Sequence, residues 1–331
     1  MSFINRMCNR NLFILKEKEV RCHIMKNLII LYLVIISCVF LASCDNRFLH
    51  HEYKSNPGTI EEGFKKKLNE QPINFLLLGI DTREGEQSRT DSIIVSQYDA
   101  QNRSIKLASI MRDSFVKIPG YDRVYNKLNH AYYVGGEELL KKTIEQNFGL
   151  AIDHVITIDF KGFVKVIDTI APEGIKVDLN QAIIKDMALN VPPGEHNLQG
   201  EELLKYVRFR HDARSDFGRV DRQQEVILKL KDKFQKEMNT LDGFAKIPSL
   251  LDSSIKYIHT DLKTNEILTL ASTIFLQRID NIDTMRIPVK NGFTNRNVPY
   301  AGAVLQLDYK KNIKALNQFF SEPQPVNDHH K

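Results

Sequence analysis

The stretch INFLLLGID, Ile73 to Asp81, is an apolar run of strand length that ends on an acid. A second such run, SIIVSQYD (Ser92 to Asp99), and a third, SIKLASIMRD (Ser104 to Asp113), follow it. The short segment AQNR between the second and third runs leaves room for only a tight turn, so these two are expected to form a hairpin. The folded domain is therefore predicted to begin at Ile73 with strands of one sheet.

Helical and extended patterns alternate along the rest of the chain. Gly136 to Gly149 has apolar residues at helical spacing and ends on a glycine suited to a helix C-terminus. Further helices are predicted at KGFVKVIDTIA, EELLKYVRFR, DRQQEVILKLKDKF, NEILTLASTIFLQ and YKKNIKALNQFF, and further strands at HVITIDF, GIKVDL, SIKYIHT and IDTMRIPV. This order predicts an α/β domain over residues 73–320, with a mixed central β-sheet sandwiched between α-helices and a flexible tail at 321–331.

The N-terminal segment has the layout of an export signal. Residues 25–44, MKNLIILYLVIISCVFLASC, combine a positive residue, an apolar run and small residues before a cysteine. The ending LASC resembles the lipobox of bacterial lipoproteins, in which Cys44 would carry the lipid; an uncleaved signal anchor is the alternative. Residues 1–24 would make an unusual leader, which suggests that translation starts at Met25. Residues 45–72 are polar and are expected to form an extracytoplasmic tether with a short helix.

Composition restricts the chemistry of the exported part. The 331 residues are 42% hydrophobic and 26% charged with a net charge of +5, which is ordinary for a globular protein and does not by itself indicate nucleic-acid binding. All four cysteines lie at or before Cys44, so no disulfide or thiol chemistry is expected in the domain. His130 has no cysteine or second histidine near it in the sequence, which disfavours a zinc site.

Two aspartates are expected at one edge of the sheet. Asp81 ends the first strand and Asp91 opens the second, so antiparallel pairing would bring both carboxylates to the same edge. Two carboxylates can hold Mg²⁺ and leave coordination positions for phosphate oxygens and water. Capping of turns by both residues is the alternative.

Arginines are concentrated in RFRHDARSDFGRVDRQQ, residues 208–224, where three aspartates are interleaved with five arginines. The guanidinium fork binds phosphate or carboxylate through two parallel hydrogen bonds. Cations also lie at Arg83 and Arg89 in the loop after the first strand, at Arg112 and at Lys127. Acids for a metal together with arginines for oxygen atoms indicate a phosphoryl or pyrophosphoryl site; a surface of internal ion pairs is the alternative.

Seven motifs occur in a family-specific order: FLLLGIDTR, RTDSIIV, SIMRDS, KLNHAYYVGG, VITIDFKGF, PPGEHNLQGEELLKYVRFRH and DFGRVDRQQ. From Ile73 to Phe234 they resemble the LytR–CpsA–Psr family of bacterial cell-wall assembly enzymes. The resemblance implies an Mg²⁺-dependent transfer of an anionic glycopolymer, such as wall teichoic acid or capsule, from an undecaprenyl-pyrophosphate carrier to peptidoglycan. It also implies a deep apolar pocket for the polyprenyl tail between sheet and helices.

Matched motif by motif, the resemblance assigns the site. Asp81 and Asp91 would bind Mg²⁺ and, with Arg112, Arg210 and Arg219, would carry catalysis. The pyrophosphate would be bound by Arg89, Arg112, Arg208, Arg210, Arg219 and Gln223, with Arg83 and Lys127 as looser matches. Two departures are the methionine at Met111, where the family usually has proline, and the lipobox-like signal in place of a transmembrane helix.

Some assignments stay open. The general base could be Asp81, Asp91 or Asp216. Candidates for walls of the lipid pocket are Phe160, Phe163, Val164, Ile167, Ile170, Val226, Ile227 and Leu230, although plain core packing is favoured for any single one of them because helix-on-sheet packing requires the same residue types. Alternative functions are a polyprenyl-pyrophosphate pyrophosphatase and a non-catalytic regulatory protein of the cell envelope. Nucleic acid is not expected as a partner, because the interleaved aspartates would repel its phosphates and the export signal directs the domain to the outer face of the cell membrane.

Overall fold

The computed structural model of the protein describes residues 57–81, 89–238, 254–277, 279 and 281–322. Its strands, in chain order, are β1 (Ile73–Asp81), β2 (Arg89–Asp99), β3 (Ser104–Ile110), β4 (Ser114–Lys117), β5 (Tyr125–Lys127), β6 (His154–Asp159), β7 (Ile175–Leu179), β8 (Gly194–Leu198), β9 (Ile258–Thr260), β10 (Asn281–Ile287), β11 (Phe293–Val298) and β12 (Gly302–Leu307). Its helices are α1 (Pro57–Glu70), α2 (Leu128–Phe148), α3 (Phe160–Ile170), α4 (Gln181–Asp186), α5 (Gly200–Arg208), α6 (Ser215–Met238), α7 (Thr264–Gln277) and α8 (Tyr309–Ser321).

A six-stranded mixed sheet in the order β10–β3–β2–β1–β6–β9 forms the centre of the domain. Strand β2 pairs antiparallel with β1 on one side and with β3 on the other, which confirms the predicted hairpin. Strands β6 and β10 lie parallel to β1 and β3, respectively. The expectation of a mixed α/β sheet is therefore confirmed.

Helices cover both faces of this sheet because successive strand residues point to opposite sides. On one face, Leu76 and Leu78 of β1 are buried in a cluster with residues of α2 and α8. On the other face, Ile73 and Phe75 of the same strand are buried in a cluster with residues of α1 and α7. The continuous apolar run of β1 thus reflects burial on both sides.

Helix α1 lies in the segment that the sequence suggested as a tether with a short helix. Its Phe64 and Leu68 are buried against the sheet. Its Lys67 Nζ lies 2.6 Å from the Asp153 Oδ1 carboxylate oxygen. The folded unit therefore begins at Pro57, before β1.

A second core lies beneath the β7–β8 hairpin, where Ile175, Val177 and Leu198 pack with α3, α4, α5 and α6. Helix α5 approaches α3 very closely at its first residue. A Cβ atom on Gly200 would lie only 2.7 Å from the carbonyl oxygen of Val164. The packing of α5 on α3 thus depends on the absence of a side chain at position 200.

Several predicted elements have different bounds in the structure: β2 begins at Arg89 instead of Ser92, α6 begins at Ser215 and so includes part of the arginine-rich segment, and β9 is only Ile258–Thr260. Strand β3 ends at Ile110 instead of Asp113, because the chain turns there and the Ser114 N–H donates to the Met111 carbonyl at 3.0 Å. Helix α2 begins at Leu128, eight residues before the predicted start at Gly136. Gly136, with φ of 62°, marks a break within α2. The predicted end is confirmed, since Gly149 adopts the left-handed conformation and caps the helix.

A four-stranded sheet in the order β11–β12–β4–β5 was not predicted. Its strands are only three to six residues long, and β5 (YNK) and β11 (FTNRNV) are mainly polar, so no strand-like apolar pattern extends across them. This sheet continues directly from the turn after β3. It therefore lies next to Arg112 and Asp113, which are central to the site described below.

Within the described residues, no helix combines the length and the apolar character needed to span a bilayer. The predicted export signal at 25–44, with the lipidation site Cys44, lies outside these residues and stays a prediction.

Candidate functional site

The two predicted metal-binding acids lie at the same edge of the central sheet. Asp81 at the end of β1 is paired with Arg89 at the start of β2. Gly79 pairs with Ser92 and Ile80 with Thr90, so Asp91 is the extra residue of a β-bulge. The Thr90 hydroxyl donates to the Gly79 carbonyl at 3.2 Å and ties the bulge to β1. Antiparallel pairing thus brings Asp81 and Asp91 to one edge, as expected.

Three arginines from separate parts of the chain converge on Asp216. Arg112 comes from the turn after β3, Arg210 from the segment after α5, and Arg219 from the second turn of α6. Arg210 Nη1 and Arg219 Nη1 each lie 3.5 Å from Asp216 Oδ1, and Arg112 Nε lies 3.5 Å from Asp216 Oδ2. Asp91 links this group to the sheet, because it accepts a hydrogen bond from Arg112 Nη1 and lies 3.8 Å from Arg219 Nη1.

Arg208 completes the group on the side of Asp81, where its Nη2 atom lies 4.0 Å from Asp81 Oδ2. Its guanidinium lies 4.1 Å from the centre of the Phe160 ring, in a cation–π contact. These residues are called the charged cluster below: Asp81, Asp91, Arg112, Arg208, Arg210, Asp216 and Arg219.

The charged cluster contains one cation, Arg219, that is only partly compensated. Arg219 is 3% exposed. Burial and then the nearby Arg112 lower its pKa, and the opposing effect of Asp216 does not fully offset them. Within the described residues, neither Arg219 Nε nor Arg112 Nε has a hydrogen-bond partner. Buried donors without partners are rare, so the cluster is suited to accept a further anion.

The acid at the centre of the cluster is held in its ionised form. Burial would raise the pKa of Asp216, but Arg219, a hydrogen bond with the Asp113 side chain, and then Arg112 and Arg210 outweigh burial and hold that pKa below its usual value. Arg112 shows the reciprocal effect: burial would lower its pKa, but Asp216, Asp91 and Asp113 raise it overall. An acid held as an anion by three arginines is poorly suited to accept a proton. Among the acids considered from the sequence, Asp216 is thus the least suited to act as the base.

An apolar cavity of about 290 Å³ opens at the charged cluster, between the sheet and helices α3, α5 and α6. Asp91, Arg208, Arg210, Arg219 and Gln223 lie on its lining. Five of the expected wall residues line it: Phe160, Phe163, Val226, Ile227 and Leu230. Further apolar lining comes from Leu77, Ile94, Ile156, Ile158, Leu204, Val207 and Ile258, which the sequence did not single out.

Three of the candidate wall residues lie elsewhere. Val164, Ile167 and Ile170 do not line this cavity. Ile167 is buried in the core beneath the β7–β8 hairpin, and the Val164 side of α3 faces the start of α5. Helix α3 is apolar on both sides, and only its Phe160–Phe163 side faces the cavity.

The charged cluster also adjoins a polar cavity of about 620 Å³, which is called the polar cleft below. Its lining residues are Arg112, Asp113, Tyr121, Asp122, Arg123, Asn126, Lys127, Asn129, His130, Tyr133, Tyr300 and Ala301. Lys127 belongs to this cleft, and its Nζ atom lies 2.7 Å from Asp113 Oδ1. Asp113 was missed as a site residue, although its place beside Arg112 in the SIMRDS motif could have identified it.

The remaining predicted site residues are placed as follows. Gln223 lies at the cavity lining and its Nε2 atom donates to the Val207 carbonyl at 3.4 Å. Arg83 lies outside the described residues, and of Arg89 only the backbone is described. The proposed roles of these residues stay predictions.

The chemistry of the acidic pair fits a divalent cation that is shared with a substrate. The described residues hold no group of three or more acidic, histidine or cysteine side chains that could enclose a metal by themselves. Mg²⁺ typically takes one or two carboxylates and completes its octahedron with phosphate oxygens and water. Two acids beside an under-compensated arginine match that pattern better than a closed metal cage.

Comparison with known proteins shows similarity to one family along most of the chain. The model of the LytR_cpsA_psr family matches residues 39–318. The chain is 37% identical over 254 residues to the regulatory protein MsrR of Staphylococcus aureus (strain COL), covering 77% of this chain and 76% of that protein. It is 34% identical over 238 residues to the polyisoprenyl-teichoic acid–peptidoglycan teichoic acid transferase TagU of Oceanobacillus iheyensis, covering 69% of each. A solved structure of TagT bound to LIIa-WTA is similar with a TM-score of 0.62 and 26% identity, over 76% of this chain and 91% of that one.

Proposed function

The chain belongs to the LytR–CpsA–Psr family, and from this premise we propose that it is an extracytoplasmic phosphotransferase of the bacterial cell envelope. Its donor would be an anionic glycopolymer, such as wall teichoic acid or capsule, on an undecaprenyl-pyrophosphate carrier. Its acceptor would be peptidoglycan. The N-terminal segment would tether the domain to the outer face of the membrane, either through lipidated Cys44 or as a signal anchor.

One observation carries the proposal: a nearly buried, under-compensated arginine, Arg219, lies on the lining of an apolar cavity. A free phosphate site would have no need of an apolar cavity, and a lipid site would have no need of a buried guanidinium. A polyprenyl pyrophosphate is a ligand that satisfies both, with its tail in the cavity and its charged head against Arg219, Arg210 and Arg112.

The residues of the charged cluster would act mainly by positioning and charge stabilisation. The oxygen of a peptidoglycan sugar hydroxyl, plausibly the C6 hydroxyl of muramic acid, forms a bond to the phosphorus that carries the glycopolymer. The bond from that phosphorus to the bridging oxygen breaks, and undecaprenyl phosphate leaves with the electron pair. The hydroxyl proton passes to a base or to water. Arginines fixed beforehand around the phosphoryl oxygens stabilise the charge that develops on them.

Asp81 and Asp91 are the residues proposed to hold Mg²⁺ together with the pyrophosphate. The ion would supply a second positive charge to the phosphoryl oxygens. Isothermal titration tests this part without any turnover: Mg²⁺ should bind the wild-type domain more tightly when a soluble pyrophosphate diester is present, and this increase should be absent in Asp91→Asn. Equal Mg²⁺ affinity in both proteins would contradict the assignment.

The function as a whole is tested by transfer of a labelled polymer from a polyprenyl-pyrophosphate donor to peptidoglycan. Arg219→Ala should remove transfer while the domain stays folded. Arg296→Ala is the matched control, because Arg296 is exposed on β11 and its Nη1 atom contacts only the Gln306 side chain at 3.3 Å among the described hydrogen bonds. Transfer at the wild-type rate in Arg219→Ala would contradict the proposal.

A pyrophosphatase would use the same residues, with water in place of the sugar hydroxyl. The two reactions differ in their products. With peptidoglycan present, the transferase gives polymer attached to insoluble glycan, whereas the hydrolase gives free polymer phosphate at the same rate with and without peptidoglycan. A non-catalytic envelope regulator would bind the donor and give neither product.

A further inference from the structure

The polar cleft lies beside the apolar cavity but is separate from it. The two cavities have no lining residue in common. Asp91 lines the apolar cavity, Arg112 lines the polar cleft, and Arg112 donates a hydrogen bond to Asp91. This pair therefore stands between the two. A head group bound at the charged cluster would be in contact with a lipid-like environment on one side and with the polar cleft on the other.

Tyrosine rings give the polar cleft its shape. Tyr133 is 37% exposed and Tyr300 is 42% exposed, so both offer ring surface to a ligand. The Tyr133 ring stacks on His130 with centroids 5.6 Å apart, and His130 Nε2 lies 3.1 Å from the Tyr121 hydroxyl oxygen. These contacts fix the rings in place. A rigid ring with one polar end offers a large contact area at little cost in side-chain entropy.

The charges of the cleft nearly balance, with Arg112, Arg123 and Lys127 against Asp113 and Asp122, so they offer a polyanionic occupant little net attraction. Lys127 is paired with Asp113 at 2.7 Å. The Arg123 guanidinium lies 4.9 Å from the centre of the Tyr300 ring. Asp122 adds a second acid to the lining. A string of phosphates would be repelled by the two carboxylates. A neutral polyhydroxylated chain could instead hydrogen-bond to acidic and basic side chains alike and pack its C–H faces on the tyrosine rings.

The geometry of phosphoryl transfer indicates that a sugar chain in the polar cleft would belong to the acceptor and not to the donor. In a displacement at phosphorus, the attacking and leaving oxygens lie roughly in line on opposite sides. The leaving lipid phosphate is directed towards the apolar cavity if its tail occupies that cavity. The attacking hydroxyl must then approach from the other side of the Arg112–Asp91 pair, which is the side of the polar cleft.

We propose that the polar cleft is the acceptor subsite, which binds sugar rings of a glycan strand against Tyr133 and Tyr300 and presents a hydroxyl to the charged cluster at Arg112. This inference rests on the proposed function for the identity of the reaction. Sugars of the donor polymer have the same chemistry, so the test has to separate the two sources.

The first arm measures binding without catalysis. An uncrosslinked, peptide-free glycan tetrasaccharide from peptidoglycan is titrated into the ¹⁵N-labelled full domain, and amide shifts are followed. We expect shifts around Tyr133 and Tyr300, and affinity reduced roughly tenfold in Tyr133→Ala and Tyr300→Ala. Tyr125→Ala is the matched control: Tyr125 is 41% exposed and its backbone carbonyl accepts a hydrogen bond from the Tyr300 hydroxyl, but its ring stacks on Phe115 and does not line the cleft.

The second arm measures KM for each substrate during transfer. If the cleft is the acceptor subsite, Tyr133→Ala and Tyr300→Ala raise the KM for glycan roughly tenfold and leave the KM for the lipid-linked donor within about twofold. A rise in the donor KM alone would overturn the assignment and give the cleft to donor sugars. Unchanged values for both substrates would also overturn it.

The two arms distinguish failure of this inference from failure of the proposed function. A wild-type domain that turns over no donor would contradict the transferase proposal, and the titration alone would then decide the cleft. Glycan binding that is lost in Tyr133→Ala and kept in Arg219→Ala would support a glycan site independent of the reaction. Absence of any glycan-induced shift in the wild-type domain would overturn the inference whatever the activity.

Discussion

A bulky side chain that fills the apolar cavity should weaken binding of a donor with a long lipid tail and leave binding of a donor with a short tail unaffected. The cavity of about 290 Å³ is apolar and opens at the charged cluster, so it can hold part of a polyprenyl tail. Leu204 of α5 lines it. In Leu204→Trp the new side chain has about six more non-hydrogen atoms than leucine. If each displaces one methylene of the tail, whose burial contributes about 0.8 kcal/mol, the donor loses at most about 5 kcal/mol of binding free energy.

This upper bound corresponds to a factor of roughly 4 × 10³ in donor affinity. Repacking of the cavity around the indole will make the measured loss smaller. The assay compares two donors that carry the same pyrophosphate and sugar, one with a polyprenyl tail and one with an ethyl tail. Leu204→Trp should raise the KM of the first by tenfold or more and that of the second by less than about twofold. Thermal denaturation checks that the variant is folded, since overpacking costs about 1–3 kcal/mol.

Leu268→Trp is the control for the substitution itself, because Leu268 is 53% exposed on α7 and does not line the cavity. It should match the wild type with both donors. Equal losses for the long and the short donor in Leu204→Trp, or no loss for either, would refute the placement of the tail in this cavity.

Three further predictions concern the charged cluster and the helix packing around it. Arg219→Ala should lower kcat by a factor of about 10² to 10³, the cost of removing one positioned donor from a charge-stabilising site. Arg219→Lys should recover only part of that loss, because a lysine lacks the planar fork that makes two parallel hydrogen bonds. Steady-state kinetics measures both effects, and full recovery by lysine would argue against a bidentate contact. Asp216→Asn should lower the free energy of unfolding by about 2–3 kcal/mol at pH 7. Because the folded-state pKa of Asp216 is lowered, its contribution to stability is complete above the unfolded-state pKa of about 3.9 and is lost as the pH falls through the folded-state pKa. In urea titrations from pH 7 to pH 3, the unfolding free energies of the wild type and Asp216→Asn should therefore converge only at the acid end. A difference that stays constant with pH would contradict this role. Gly200→Ala should lower the free energy of unfolding by about 1–3 kcal/mol, since the methyl group would lie 2.7 Å from the Val164 carbonyl oxygen; an unchanged denaturation midpoint would show that α3 and α5 separate at no cost.

The central sheet could be predicted because its strands have a simple pattern. INFLLLGID is long, apolar and bounded by polar residues, so its strand, Ile73–Asp81, has the predicted bounds. The short strands of the second sheet could not be predicted, since a strand of three residues such as YNK has no period to detect and is held by its neighbours alone. The break at Gly136 was taken for the start of a helix because a glycine pair ordinarily ends or begins one.

The candidate site could be predicted only in part, for related reasons. Motifs identified Arg112, Arg210 and Arg219 as residues of one site, and the structure places all three around Asp216. Their unequal burial could not be read from the sequence, since it depends on which turn of α6 faces the sheet. The walls of the cavity illustrate the same limit: Phe163 and Ile167 are both apolar residues of α3, and only the tertiary packing decides that the first faces the cavity.

The incomplete charge compensation of Arg219 should couple the stability of the fold to the binding of an anion at the charged cluster. A ligand that binds only the native state raises the unfolding free energy by about 2.7 kcal/mol at a hundredfold excess over its Kd, and here that ligand would also relieve the cost of an almost dehydrated cation. If the proposed donor is that ligand, the domain would be least stable without it, and its melting temperature would rise with the fraction of domain that has donor bound.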